Sequence, residues 1–189
     1  MPYVQQRSLL RYKVFWIILS EEKPRRLWPE DPERQQLARL AAQAAGKSRV
    51  RDANLHLTLV FLGHTEAAHL AAYKTALSSL SVPLLDLRLD RYGYWPGPRI
   101  LWLGCSRTPP ELYTLVADLN QRLQRCGFTP ERRAFQAHIT LARRFSGAIP
   151  NQPLAEPLRW QTNEIVLVES LPSPQGARYH VLSRWPTED

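Results

Sequence analysis

Hydrophobic and polar positions recur along this chain at two different periods. Residues 13–19 ("KVFWIIL") are a short apolar run rich in β-branched and aromatic side chains, which predicts a buried strand. Asp31-Pro32-Glu33 reads as an N-cap with proline at the first helical position. Leu37, Leu40, Ala41 and Ala44 then recur at helical spacing, and Gly46 ends the run. Residues 54–62 predict a second strand, and Thr65-Glu66 caps a second helix that reaches residue 79. Leu85, Leu87 and Leu89 alternate with Asp86, Arg88 and Asp90, the pattern of a half-buried strand. "RYGYWPGPR" predicts a turn and residues 99–104 a strand. Thr108-Pro109-Pro110-Glu111 opens a third helix that ends at Gly127, with Leu112, Leu115, Val116, Leu119 and Leu123 as its buried stripe. Strands follow near 136–143, 164–170 and 178–184, with a proline-rich connecting loop over 148–157. Helices and strands alternate, with about seven strands and three helices.

Two of these strands carry the same polar pair in the same apolar frame. His56-Leu57-Thr58-Leu59 and His138-Ile139-Thr140-Leu141 are nearly one sequence written twice. In a strand, residues i and i+2 share a face. His56 and Thr58 therefore stand opposite Leu55, Leu57 and Leu59, and His138 and Thr140 opposite Ile139 and Leu141. Each strand buries its aliphatic side against a helix layer and presents His and Thr on the other. If the two strands lie side by side, two imidazoles and two hydroxyls line one cleft. Paired imidazoles can hold opposite protonation states near neutral pH, so one takes a proton while the other gives one. Hydroxyls between them can donate to anionic oxygens. That set suits in-line attack on phosphorus. A lone His-x-Thr is most often a hydrogen-bonded core histidine, because short patterns match often. The repetition in matching frames is what favours chemistry.

Composition narrows the classes. The chain has 189 residues, 44% of them hydrophobic, with six Trp and seven Tyr, which excludes a disordered chain and allows a core without staples. Cys105 and Cys126 belong to no metal-ligand pattern and to no disulfide framework. "VFWIIL" is too short for a signal peptide and runs into "SEEKPRR"; no stretch approaches a membrane span. A soluble, cytoplasmic monomer is expected, with residues 1–11 as a loosely held extension and 12–189 as a single domain. The net charge of +8 is carried largely by arginines, which suits a polyanionic partner or solubility alone. His64 and His69 do not share a helix face and read as solvated, and His180 as core or rim. Tyr94 and Trp95 read as a packed turn, with contact to RNA as the alternative, and Arg132 and Arg133 as a solvated charge pair, with phosphate steering as the alternative.

On "KVFWIIL", "NLHLTLVFLG", "PRILWLG", "FQAHITLARR" and "ESLPSPQGARYHVLSRW", the chain resembles the 2H phosphoesterases. More closely, it resembles the bacterial and archaeal RNA 2′,3′-cyclic phosphodiesterases, also called 2′-5′ RNA ligases. The resemblance implies an α+β, bilobal fold: two pseudo-symmetric lobes of antiparallel strands with outer helices and a central cleft. It implies metal-independent hydrolysis of a terminal RNA 2′,3′-cyclic phosphate to a 2′-phosphate, with no cofactor, acting on RNA ends such as tRNA fragments. By motif match, His56 is the acid that protonates the departing 3′ oxygen and His138 the base that activates water. Thr58 and Thr140 hold the phosphate, and Arg143 matches the family's basic residue after the second motif. Strict alternation puts Arg143 on the face opposite His138, so the strand must end or twist to bring it in. Phe135 keeps the family's aromatic and is a candidate base platform or a packing residue. Ala137 stands where the family usually has proline. Reversible 2′-5′ ligation, another small cyclic phosphate, and a non-catalytic RNA-end-binding module remain as alternatives.

Overall fold

The computed structural model describes residues 14–20, 32–173 and 177–186. The expected extension over residues 1–11 and the cap residue Asp31 lie outside this range. The described residues form two four-stranded antiparallel sheets. The first runs in the order β2 (Thr58–His64), β1 (Val14–Ser20), β7 (Glu164–Leu171), β8 (Arg178–Trp185). The second runs β5 (His138–Ala142), β4 (Ile100–Cys105), β3 (Leu85–Trp95), β6 (Leu158–Thr162). Three helices accompany them: α1 (Pro32–Ala45), α2 (Ala67–Leu77) and α3 (Pro110–Gln124). This is the bilobal α+β arrangement that the family resemblance implies. No described helix is long and apolar enough to cross a membrane.

Each sheet buries one face in a common core. Phe15, Ile17 and Leu19 of β1 and Leu101 and Leu103 of β4 belong to it, as do all five residues of the α3 stripe. The helices tie the sheets together. α1 follows β1 of the first sheet yet packs on β5 and β6 of the second, while α3 follows β4 of the second sheet and packs on β2 of the first. The two sheets meet at their edges through one antiparallel bridge between Leu57 and Ile139, the residues between His and Thr in the two motifs. Both are fully buried, each side chain contributing about 1.5–3 kcal/mol. The antiparallel sense sets position 56 across from Thr140 and position 58 across from His138.

Several element boundaries differ from the pattern reading. The expected strand over 54–62 begins regular pairing only at Thr58; residues Asp52–Asn54 form a 3-10 turn, so His56 lies in the extended lead-in to β2. Glu66, and not Thr65, occupies the cap of α2, and it makes no side-chain cap bond; Thr65 Oγ1 donates to Leu62 O at 3.4 Å. An eighth strand, β6, follows the proline-rich loop, with Leu158, Trp160 and Thr162 buried and Arg159 and Gln161 exposed.

The largest difference is in β3, which runs on to Trp95 where a turn was expected. The cause is a bulge between Leu89 and Arg91. One extra residue in a strand reverses which face each later side chain takes. Before the bulge, Leu85, Leu87 and Leu89 enter the core; after it, Tyr92 and Tyr94 do. Arg91, Gly93 and Trp95 are thereby moved to the face that carries His138 and Thr140. Cross-strand pairing gives two rows on that face: His138–Gly104–Arg91 and Thr140–Trp102–Gly93.

Trp102 lies flat in this array because its neighbours lack side chains. A Cβ on Gly93 would meet Trp102 Cζ2 at 2.0 Å, and one on Gly104 would meet Ala137 O at 2.7 Å. Trp102 is 5% exposed and has little room to retreat. Gly93→Ala is therefore expected to destabilise the fold by about 2 kcal/mol, lowering Tm by roughly 4–8 °C. A melting curve superposable on wild type would contradict this packing.

Candidate active site

Each catalytic candidate is held from below by the backbone two residues before it. His56 Nδ1 lies 2.8 Å from Asn54 O, and His138 Nδ1 lies 2.8 Å from Gln136 O. A carbonyl accepts only, so Nδ1 carries the proton in both rings, and Nε2 is left as the free acid–base atom. The Asn54 carbonyl is positioned by the 3-10 turn, whose Asp52 O accepts from the buried guanidinium of Arg34 on α1 at 2.6 Å. Asp52 is also ion-paired with Arg49. At the second motif, Ala137 is fully buried and the His138 contact has the same length as its counterpart. The missing proline leaves that geometry in place.

Aromatic rings then wall in both imidazoles. Trp16 and Tyr179 stand edge-to-face against His56, with ring centroids at 6.1 and 5.1 Å. Trp95 and Trp102 stand edge-to-face against His138, at 4.5 and 6.3 Å. These walls shield the half-buried imidazoles from water, and that partial desolvation shifts their protonation equilibria. Burial pushes His56 down from 6.5 to about 4, with the Asn54 carbonyl opposing and the charges of Arg143, His138 and Arg34 adding to the fall. His138 is also lowered, first by burial, against the Gln136 carbonyl, with Arg133 and Arg143 adding and Glu131 opposing. Both shifts favour the neutral imidazole at pH 7 in the unliganded protein.

Arg143 acts on both histidines and on Tyr179. It is exposed, and β5 ends at Ala142, one residue before it, so strict alternation no longer fixes its side. Thr58 and Thr140 are half-buried beside the bridge, on the side opposite the fully buried Leu57 and Ile139. Phe135 is not among the rings that touch His138. It leans edge-on against Tyr113 of α3 at 6.1 Å and packs on the core. His64, His69 and His180 are exposed, and Arg133 is paired with Glu131. Among the described residues, no group of three or more His, Cys, Asp or Glu could hold a metal ion.

Four site residues escape a pattern reading: Trp16, Tyr179, Trp95 and Trp102. Trp16 and Trp102 sit in apolar strands where they look like core. Tyr179 is remote in sequence from the histidine it touches. Trp95 reads as part of a turn until the bulge is seen.

Comparison with known proteins agrees with this geometry. Residues 27–102 and 103–179 each match the family described as LigT like Phosphoesterase, one motif histidine falling in each half. The chain is 34% identical to the RNA 2′,3′-cyclic phosphodiesterase of Escherichia coli over 141 residues, covering 75% of this chain and 80% of that protein. It is 30% identical to the protein of the same name from Aeropyrum pernix over 145 residues, covering 70% and 82%. The structure of E. coli LigT in apo form aligns with a TM-score of 0.78 at 28% identity, over 92% of this chain and 96% of that one. Its complex with 3′-AMP aligns at 0.80 and 27% identity, over 94% and 99%. With a histidine motif in each matched half and both brought to one junction, the chain belongs to the LigT-like phosphoesterase family.

Proposed function

We propose that the protein hydrolyses a terminal 2′,3′-cyclic phosphate on RNA to a 2′-phosphate, by acid–base catalysis shared between His56 and His138. The observation that carries this reading is the pairing itself: two imidazoles with the same tautomer and the same aromatic enclosure, set across one backbone bridge. The relatives named RNA 2′,3′-cyclic phosphodiesterase supply the substrate class.

In this mechanism the cyclic phosphate lies between the histidines. Thr58 and Thr140 donate to its non-bridging oxygens, and Arg143 balances the charge that builds on them. Water attacks phosphorus opposite the 3′ oxygen. His138 Nε2 takes the water's proton as the new P–O bond forms. His56, as imidazolium, gives its Nε2 proton to the 3′ oxygen as that P–O bond breaks. The phosphate stays on the 2′ oxygen and a 3′ hydroxyl is released. His138 ends protonated and His56 neutral, and exchange with solvent resets the pair. The anionic substrate supplies the counter-charge that the free site lacks, so protonation of His56 accompanies binding. Its enclosure makes that imidazolium a strong acid, suited to an alkoxide leaving group.

A short RNA ending in a 2′,3′-cyclic phosphate, incubated in EDTA, tests the reading. Wild type is expected to yield the 2′-phosphate. His56→Ala and His138→Ala should each lose about 10³-fold in kcat. A 3′-phosphate product would reverse the assigned leaving group, and strict metal dependence would sink the mechanism. Binding without turnover would leave an RNA-end-binding module.

The pH profile follows from the lowered histidines. In the free protein the active form has one imidazole neutral and one protonated. The kcat/KM profile therefore rises as the first proton leaves and falls as the second does. With His56 near 4 and His138 below 6.5, the maximum should lie on the acid side of pH 6.5. The kcat profile, which reports the bound complex, should sit at higher pH because the phosphate favours imidazolium. Arg143 disfavours both imidazoliums, so Arg143→Gln should move both kcat/KM limbs upward while lowering kcat by about 10²-fold. A wild-type kcat/KM maximum above pH 8 would contradict the enclosure argument.

A further inference from the structure

Among the described residues, the two walls of the site differ in charge. On the first sheet, the face beside His56 carries Trp16, Ile18, Val166, Val168 and Tyr179. Farther along it, Arg184 is held by Glu164 at 2.7 Å. The second sheet is different. Arg91 lies in the same cross-strand row as His138, with Gly104 between them. Two strand spacings amount to roughly 10 Å between backbones, a gap that the long Arg91 side chain can narrow. The Arg91 guanidinium lies over Trp102, 5.6 Å from the ring centre, and the same ring is 6.3 Å from His138.

Arg91 is exposed, and among the described residues it has no ion-pair partner. Beyond it on the same face, Arg88 stands directly opposite Arg159 of β6. Like charges so placed repel unless an anion joins them. Asp86 serves Arg159, at 2.7 Å, and leaves Arg88 unmatched. The bulge residue Asp90 is engaged by Ser106, at 2.7 Å to its N–H and 2.6 Å to its hydroxyl. The acidic groups of this wall are thus taken, and Arg91 and Arg88 extend outward from His138 as available guanidiniums.

We infer that the RNA strand leading to the cyclic end runs across the second sheet, with its last phosphodiesters against Arg91 and then Arg88. This rests on the proposed hydrolase reading and adds to it a direction and a preference for polymer over mononucleotide. Guanidiniums bind phosphate oxygens through two donors and gain from stacking on an indole. The bulge in β3 is then the device that creates the track, because without it Arg91 would take the core-facing side.

The test compares a nucleoside 2′,3′-cyclic phosphate with a five-nucleotide RNA ending in the same nucleoside. Wild type should favour the RNA. Arg91→Gln should lower kcat/KM on the RNA five- to tenfold more than on the mononucleotide, through KM. It should also flatten the dependence of log KM on log salt by about 0.7, one single-strand phosphate contact. Arg88→Gln should act in the same direction. Arg125→Gln, an equal loss of charge at the end of α3, should leave the ratio at its wild-type value. An unchanged ratio in both Arg91→Gln and Arg88→Gln, or an equal fall in the Arg125→Gln control, would overturn the inference. Turnover of neither substrate by wild type would remove the hydrolase reading instead. The track would then be judged by anisotropy of the same RNA labelled at its 5′ end: weaker binding in Arg91→Gln sustains it, and equal binding overturns it.

Discussion

The site depends on a single backbone bridge between the edges of two sheets. Leu57 and Ile139 pair antiparallel, and both side chains point into the common core. Each is fully buried, so a one-residue slip would send leucine outward and histidine inward on both strands. The same burial that stabilises the junction therefore fixes which side chains face away from the core there. The helices reinforce it, since α1 and α3 each follow a strand of one sheet and pack on the other. Separating the lobes would expose the core, which is why a pair of histidines can be divided between two edges without losing its geometry.

The enclosure of the histidines gives the junction its chemistry. Backbone carbonyls fix the tautomer, and aromatic rings fix the orientation and shield the imidazoles from water. Desolvation makes each imidazolium costly until an anion arrives. Burial of His56 also links stability to pH. Its folded pKa is below the unfolded value of 6.5, so the unfolded chain binds more protons between the two. That contribution is present in full above pH 6.5 and is lost as pH falls toward 4. The protein thus gives up acid stability to keep a neutral, poised site. The two walls are alike in shape around the histidines and unlike in charge beyond them.

Much of this was legible in the sequence, and what escaped has identifiable causes. The aliphatic frames of the repeated motifs and the α3 stripe are short-range patterns with clear periods, and each is buried as the pattern predicts, although His56 itself falls just before β2. β3 was cut short because its alternation reverses at Asp90; a bulge looks like the end of a strand when only period is read. That error concealed Trp95 and the facing of Arg91. β6 was hidden behind prolines, its Leu-x-Trp-x-Thr alternation too brief to stand out. Tyr179 meets His56 although β8 and β2 are opposite edges of the first sheet, because β8 packs on the 3-10 turn that precedes His56. Arg143 needed the strand to stop, and it does. Phe135 turned inward to Tyr113, a matter of packing that no local pattern reports.

The claim on which everything rests is that both histidines present a neutral Nε2 to the substrate and that one of them becomes charged only when an anionic ligand is bound. Nitrogen NMR of ¹⁵N-labelled imidazoles tests it directly, first in the free protein at pH 7 and then with a nucleoside–vanadate adduct that mimics pentacoordinate phosphorus. Two neutral Nδ1–H rings in the free protein, with one converted to imidazolium on binding, are expected. A Nε2–H tautomer at either position, or two rings unchanged by the adduct, would contradict the account.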